Sequence, residues 1–458
     1  MEKIVCKNLS NFLESKDLLY KHQYGFRQKH STIHPMIQFL NGAAIANNHN
    51  EYFLSIFCDL QKCFDVLDRS ILIRKLENIG VRGSSLDWFT DYFEGRRQYV
   101  KIQSYSSNTL TSELGVIQGS NLGPLLSSIY LNDLFRSSDV FTFLCFADDT
   151  SCYLSHQNLA TLIHTANTEF QKVAQWMRAN RLKLHPDKTK FMIFCNRQKK
   201  INLEDCILYL DNNDLSSKHK NPSLLQRIEC LNLSSDPTVR FLGLNLDPYL
   251  SFKNHVNMLL KKLSKSIYII RSVKKLLPKS ALLTLYYSLF HSHLMYALPA
   301  YGCANMSTLK PIKMLQKKAV RLVTNSKYNA HTDPIFKSLG ILKFPDLLQF
   351  VRLDFMHSVS KNRCPLAFSD TWDGVNDHDE NLNMNLRNYL DYKVPRSRLN
   401  FSERLPFHSF PKTWNDGLNT DTKSIIKKKE FKLHVKNMFL DHYDANVKCN
   451  NLFCRECF

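Results

Sequence analysis

No aspartate or glutamate occurs between Pro248 and Thr332, although that stretch carries 14 lysines and arginines in 85 residues. A solvated helical surface normally mixes both signs, so a run this long without an acid points to a surface that meets backbone phosphates. The imbalance extends to the whole chain, whose net charge is +20 over 458 residues. Such an excess asks for a polyanionic partner, either nucleic acid or an acidic membrane surface. Also missing is any apolar run long enough to span a bilayer, and residues 1–20 show no signal-peptide pattern. Membrane insertion and secretion are therefore not expected. The 13 cysteines form no spaced framework, as reduced thiols of the nucleus or cytoplasm would not. Internal repeats and low-complexity tracts are absent as well.

What remains has ordinary globular composition, 44% hydrophobic and 12% aromatic, and a length that suits two to four domains. The segment FLCFADDTSCYL, residues 143–154, sets Asp148 and Asp149 side by side within an apolar run. Its alternation reads as a strand covered on both faces, with the aspartates at the tip of a tight hairpin. Adjacent carboxylates repel, and burial disfavours their charged forms unless something positive sits with them. Asp is common in turns, but a turn rarely has its aspartates flanked so closely by apolar residues; the sharper reading, a metal site, needs a third carboxylate from elsewhere.

Asp59 supplies it, at the end of the apolar strand EYFLSIFC. A helix capped by Asp68 and stopped at Gly80 follows, then a second helix from Ser84 to Phe93. Residues 99–103 and 110–116 read as paired strands, and a helix runs from Pro124 to about Phe135. A long helix spans residues 158–180, and Lys190–Cys195 and Arg240–Asp247 read as further strands. Residues 196–238 between them read as an irregular insertion. A strand, a helix, a two-stranded hairpin and a further helix make the ferredoxin-like arrangement, whose central strands would unite the three carboxylates. Hard oxygen ligands select Mg²⁺ or Mn²⁺, and a two-metal site serves phosphoryl displacement. Phe64, five residues after Asp59, is placed either under a nucleotide sugar or in the core. Beyond Phe252, apolar residues recur at helical spacing with lysines opposite, and from about residue 346 the periodicity weakens. The expected class is α+β, divided into residues 1–250, 251–345 and 346–458.

Six segments in order resemble the reverse transcriptases of non-LTR (LINE-type, jockey-like) retrotransposons. They are QYGFRQKHST, CDLQKCFDVLDR, GVIQGSNLGPLLSSIYLNDL, FADDT, LKLHPDKTKFMIF and VRFLGLNLDPYLSFKNHV. The resemblance implies a right-hand polymerase with partial fingers, a palm, a helical thumb over 251–345 and a C-terminal extension. It implies RNA-directed DNA synthesis on an RNA template and DNA primer from deoxynucleoside triphosphates. Asp59, Asp148 and Asp149 would be the catalytic, metal-binding carboxylates, and Phe64 the gate against a 2′-hydroxyl. Gln118 and Gly119 would meet the incoming nucleotide and template, and Lys188 the triphosphate. Arg27 would reach the triphosphate or template, with a structural ion pair as the alternative. The chain departs from the family at Ile117, Asn121 and Cys63, and its first residues match the middle of a longer fingers segment. An N-terminally incomplete chain is therefore expected, and a catalytically silent nucleic-acid-binding remnant stands as the alternative, a group II intron maturase more distantly. His442, Cys449, Cys454 and Cys457 are four soft ligands close together, a candidate for Zn²⁺.

Overall fold

The computed structural model describes residues 1–199, 201, 206–211, 225–369, 371–374 and 390–443. The chain forms two compact units: Met1–Pro35 with Asn50–Pro237, and Met36–His49 with Thr238–Phe458.

The first unit is built on a six-stranded sheet. Its strands are β1 (Tyr52–Cys58), β6 (Thr142–Phe146), β7 (Asp149–His156), β8 (Lys190–Phe194), β9 (Leu208–Asp211) and β10 (Leu225–Cys230). The short strands β2 (Arg97–Gln98), β3 (Lys101–Ile102), β4 (Tyr105–Ser106) and β5 (Leu110–Thr111) lie outside that sheet. The sheet order is β6-β7-β1-β8-β10-β9, and β1 is antiparallel to both neighbours. Strands β1, β6, β7 and β8 thus make the expected ferredoxin-like sheet, with the hairpin inserted beside β1. Leu54, Ile56, Phe143, Cys152 and Phe191 are at most 1% exposed, which is why these strands read as continuous apolar runs.

Three expectations need correction here. The stretch 196–238 is not wholly irregular: β9 and β10 widen the sheet, β10 running parallel to β8. The shortness of β9, at the sheet's edge, and the polar residues of β10, between β9 and β8, mask the strand pattern. Where β10 ends, the Asn232 side chain takes over the pairing, accepting from the Ile193 N–H (2.8 Å) and donating to its carbonyl (2.9 Å). Second, residues 99–103 do not pair with 110–116. Instead β2 pairs with β5 and β3 with β4 around a tight turn, making one narrow ribbon. Third, the helix begun at Gly123 ends at Leu131, and a 3₁₀ turn covers Leu134–Ser137.

The opposite edge, β6, is covered by residues 22–24 of the N-terminal connector. The Tyr24 N–H donates to the Cys145 carbonyl (2.8 Å) and the Cys145 N–H to the His22 carbonyl (3.0 Å). An open edge is thereby closed. Asp68 caps the helix Arg69–Asn78 as its sequence foretold, accepting from the Ser70 and Ile71 N–H groups.

The second unit is mainly helical and takes in most of the early helix Ile33–Asn48, whose Phe39 ring lies 5.3 Å from Phe241. Residues 240–247 are not one strand but a hairpin of β11 (Val239–Phe241) and β12 (Leu244–Leu246), turning at Leu242 and Gly243, both with positive φ. Asp247 then accepts from the Tyr249, Ser251 and Phe252 N–H groups and turns the chain into the helix Lys253–Val273. Val256, Leu259, Leu263, Ile267 and Ile270 of that helix are buried, as their spacing predicted. The helix Phe344–Ser360 explains the fading periodicity near residue 346. It is buried on nearly every side, so no polar face remains to mark a period.

Candidate active site

Strand β1 stops at Cys58 because the backbone of Asp59 is claimed from elsewhere. Its N–H donates to the Thr189 hydroxyl (3.3 Å), and its carbonyl accepts from the His185 N–H (2.8 Å). The Gln61 N–H donates to the Lys183 carbonyl (3.0 Å), so residues 183–189 run along the segment that follows β1. This places Lys188 Nζ 3.8 Å from Asp59 Oδ1, with the two side chains 62% and 44% exposed. Asp59 and Lys188, 129 positions apart in the sequence, are thereby brought side by side.

The hairpin closes with Phe146 opposite Asp149, leaving Ala147 and Asp148 as a two-residue turn. Of these, Ala147 has φ +60°, where a β-carbon costs about 1–2 kcal/mol. The turn also presses on Gly25, where a β-carbon would fall 2.2 Å from the Ala147 nitrogen. Asp148 and Asp149 are both exposed. The apolar neighbours of the pair are buried in the sheet while the turn lifts both carboxylates clear of it, so the pair avoids the cost of burying like charges. Strand β7 pairs with β1 up to Thr150 opposite Cys58. Asp59 directly follows Cys58 and Asp149 directly precedes Thr150, so both lie at the same end of this ladder. Asp148 lies near Cys63, where its charge adds to burial in pushing that thiol up to about 12. Among the described residues no three His, Cys, Asp or Glu side chains gather at one point that could hold a metal ion.

Phe64 sits in a short helix, Cys63–Val66, entered through Lys62 in the left-handed region. Half-buried, its ring packs against the core of the first unit. Its carbonyl accepts from the Val116 N–H (2.9 Å), and the Gly115 N–H donates to the Leu67 carbonyl (2.8 Å). Gly115, at φ +77°, permits that approach, since a β-carbon there would lie 2.6 Å from the Asp65 carbonyl oxygen. The Gln118 side-chain amide then donates to the Asp65 carboxylate (2.6 Å). Gly119 is exposed, with φ +81°. Phe64, Gln118 and Gly119 therefore belong to two segments pinned together. Asp65 was missed from sequence; its position directly after Phe64 in CFDVLD was the available signal.

Arg27 is placed otherwise than a phosphate-binding arginine would be. Its guanidinium is 6% exposed and grips both oxygens of Glu14 (2.9 and 2.8 Å), while Nη1 donates to the Tyr20 and Gln23 carbonyls. Hydrogen bonds from Arg27 hold the Glu14 carboxyl below its ordinary range. This is the ion-pair alternative, and it fastens the connector to the first helix. Of the tail residues, His442 follows the helix Lys428–Asp441, its Nδ1 2.7 Å from the Met438 carbonyl. Cys449, Cys454 and Cys457 lie outside the described residues.

Residues 1–246 match the family model for reverse transcriptase (RNA-dependent DNA polymerase). The RNA-directed DNA polymerase from mobile element jockey of Drosophila melanogaster is 24% identical over 378 residues, covering 80% of this chain and 39% of that protein. The probable RNA-directed DNA polymerase from transposon X-element, also of Drosophila melanogaster, is 25% identical over 355 residues, covering 74% and 36%. The chain thus spans under two fifths of the length of these relatives. Among solved structures, apo telomerase from Candida Tropicalis aligns with a TM-score of 0.39 at 12% identity, covering 74% of this chain and 53% of that one. With the family model extending over more than half of the chain and over every element that carries Asp59, Phe64, Gln118, Asp148 and Lys188, this protein belongs to the reverse transcriptase (RNA-dependent DNA polymerase) family.

Proposed function

We propose that the chain is the RNA-directed DNA polymerase portion of a jockey-like, non-LTR retrotransposon protein. It would extend a DNA primer on an RNA template by nucleotidyl transfer. The observation that carries this reading is the meeting of the Asp59 strand end with the Asp148–Asp149 turn, with Lys188 beside it. The donor chemistry suits Mg²⁺ or Mn²⁺: the candidate ligands are carboxylate oxygens that remain open to solvent. Asp59 and the hairpin aspartates would hold the ion, which when bound polarises phosphate oxygens and lowers the pKa of a primer hydroxyl.

The chain's own residues account for the rest. Lys188 brings a mobile cation to the side of Asp59, where a triphosphate needs a counter-charge and the leaving pyrophosphate a proton donor. Phe64, held by its backbone against Val116, would set a wall beneath the sugar. Gln118 and Gly119 would border the nucleotide from the adjoining segment, Gly119 leaving its backbone uncovered by any side chain. Residues 251–345 would act as the thumb on the primer–template.

The test is deoxynucleotide incorporation on a primed RNA template with Mg²⁺. Asp59→Ala and Asp148→Ala should each abolish extension, a loss of at least a thousandfold, and leave template affinity within about threefold. Extension surviving either change would refute the site. No extension by the parent chain, with template binding intact, would establish the silent, nucleic-acid-binding alternative.

A further inference from the structure

The ribbon formed by β2 to β5 is exposed along its whole length. Every residue from Arg97 to Thr111 is exposed, including Tyr99 at 59% and Tyr105 at 79%. No acid occurs between Gly95 and Ser112, whereas Arg96, Arg97 and Lys101 are cationic. The alternation of β2 and β3, carried across Tyr99 and Val100 between them, sorts the side chains. Gln98 and Ile102 fall on one face, paired across the ribbon with Leu110 and Tyr105. These cross-strand pairs hold a two-stranded ribbon that has no sheet beneath it. Arg97, Tyr99 and Lys101 fall on the other face, and none of the three side chains makes a hydrogen bond, ion pair or ring contact among the described residues.

The root of the ribbon is anchored by hydrogen bonds. Arg69 donates to the carbonyls of Phe93, Ser112, Leu114 and Gly115, and the Ser112 N–H donates to the Arg96 carbonyl (2.8 Å). From Gly115 the chain passes directly onto the backbone of Phe64 and Leu67. A polynucleotide lying along the ribbon would therefore arrive beside the segment that links Asp59 to Phe64.

We infer that the Arg97–Tyr99–Lys101 face of this ribbon is a binding surface for single-stranded nucleic acid. Two cations meet phosphates, and the tyrosine between them stacks on a base. The polarity of the face decides against a protein partner: two cations flank one aromatic ring, with no acid and no apolar centre. The inference deepens the polymerase reading by naming the surface that receives an unpaired strand next to the site.

The test uses the full chain and fluorescently labelled 20-nucleotide RNA and DNA of mixed sequence. Tyr99→Ala should weaken binding about tenfold. Arg97→Gln with Lys101→Gln should lower the slope of log affinity against log salt by about 1.4, two phosphates at about 0.7 each. Val100→Thr, on the opposite face, should leave affinity within twofold. All four side chains are exposed, so these variants keep the parent's thermal unfolding midpoint. Unchanged affinity and slope in the Arg97, Tyr99 and Lys101 variants would overturn the inference, as would a duplex of equal length competing as well as the single strand. Primer extension by the same variants separates the two readings. Unchanged strand binding in variants of an extending parent refutes the ribbon alone, and weakened strand binding in variants of a non-extending parent refutes the polymerase alone.

Discussion

Single residues at the hairpin carry constraints that their chemistry would not suggest. Gly25 is required because the Ala147 nitrogen occupies the place of its β-carbon. Gly25→Ala should cost about 2–3 kcal/mol by overpacking and displace the turn that holds Asp148. A lower denaturant midpoint together with a fall in extension rate would check it. Phe64→Val should admit ribonucleotides at least tenfold more readily, read as the ratio of incorporation rates; an unchanged ratio would return the ring to a purely structural role. Buried histidines set the acid limit. Burial, with Lys21 nearby, lowers His22 to about 4, and burial, with Lys262 nearby, lowers His255 to about 4, both from 6.5. In each case the unfolded chain takes up the proton first, so stability present above pH 6.5 is lost as pH falls toward 4. By pH 5 the loss is about 2 kcal/mol per histidine. In His22→Gln, denaturant unfolding of the first unit should lose about 2 kcal/mol less between pH 7 and pH 5 than in the parent.

At the scale of elements, strands with apolar residues on both faces announce themselves and short strands carrying polar residues do not. Strand β1 and the β6–β7 hairpin are legible because apolar residues fill both of their faces. The Asp68 cap and the helix Ser84–Phe93 are legible because capping and helical spacing are local. Strands β9 and β10 are hidden, since Gln226, Arg227 and Glu229 leave β10 without a continuous apolar run and β9 spans only four residues. The β11–β12 turn is hidden too, because Leu242 adopts positive φ against its own preference. Asn232 acts as a substitute strand on β8 through two hydrogen bonds. Asn232→Ala leaves the Ile193 N–H and carbonyl without those partners and should cost about 2 kcal/mol, measurable as a lower midpoint with an unchanged denaturant slope.

For the whole molecule, the excess of 61 lysines and arginines over 41 acids dominates what it can bind. If six or more phosphates are neutralised, affinity for primer–template should fall about a thousandfold between 50 and 200 mM salt and vary little with sequence. A flat response, followed by fluorescence anisotropy, would point to a protein partner instead. The α+β class, the acid-free basic stretch and the family are legible in the chain alone, because they are written in local pattern, residue type and motif order. Folding alone brings Lys188 beside Asp59, ties Gln118 to Asp65 and commits Arg27 to Glu14. It also decided that the helix Ile33–Asn48 belongs with the second unit and that the Arg97–Lys101 ribbon stands uncovered. The physical reason is one of range. A side chain's partner is set by chain segments tens to hundreds of residues away, whose approach depends on strand register and on the packing of the core, and neither is carried by the neighbours of any one residue.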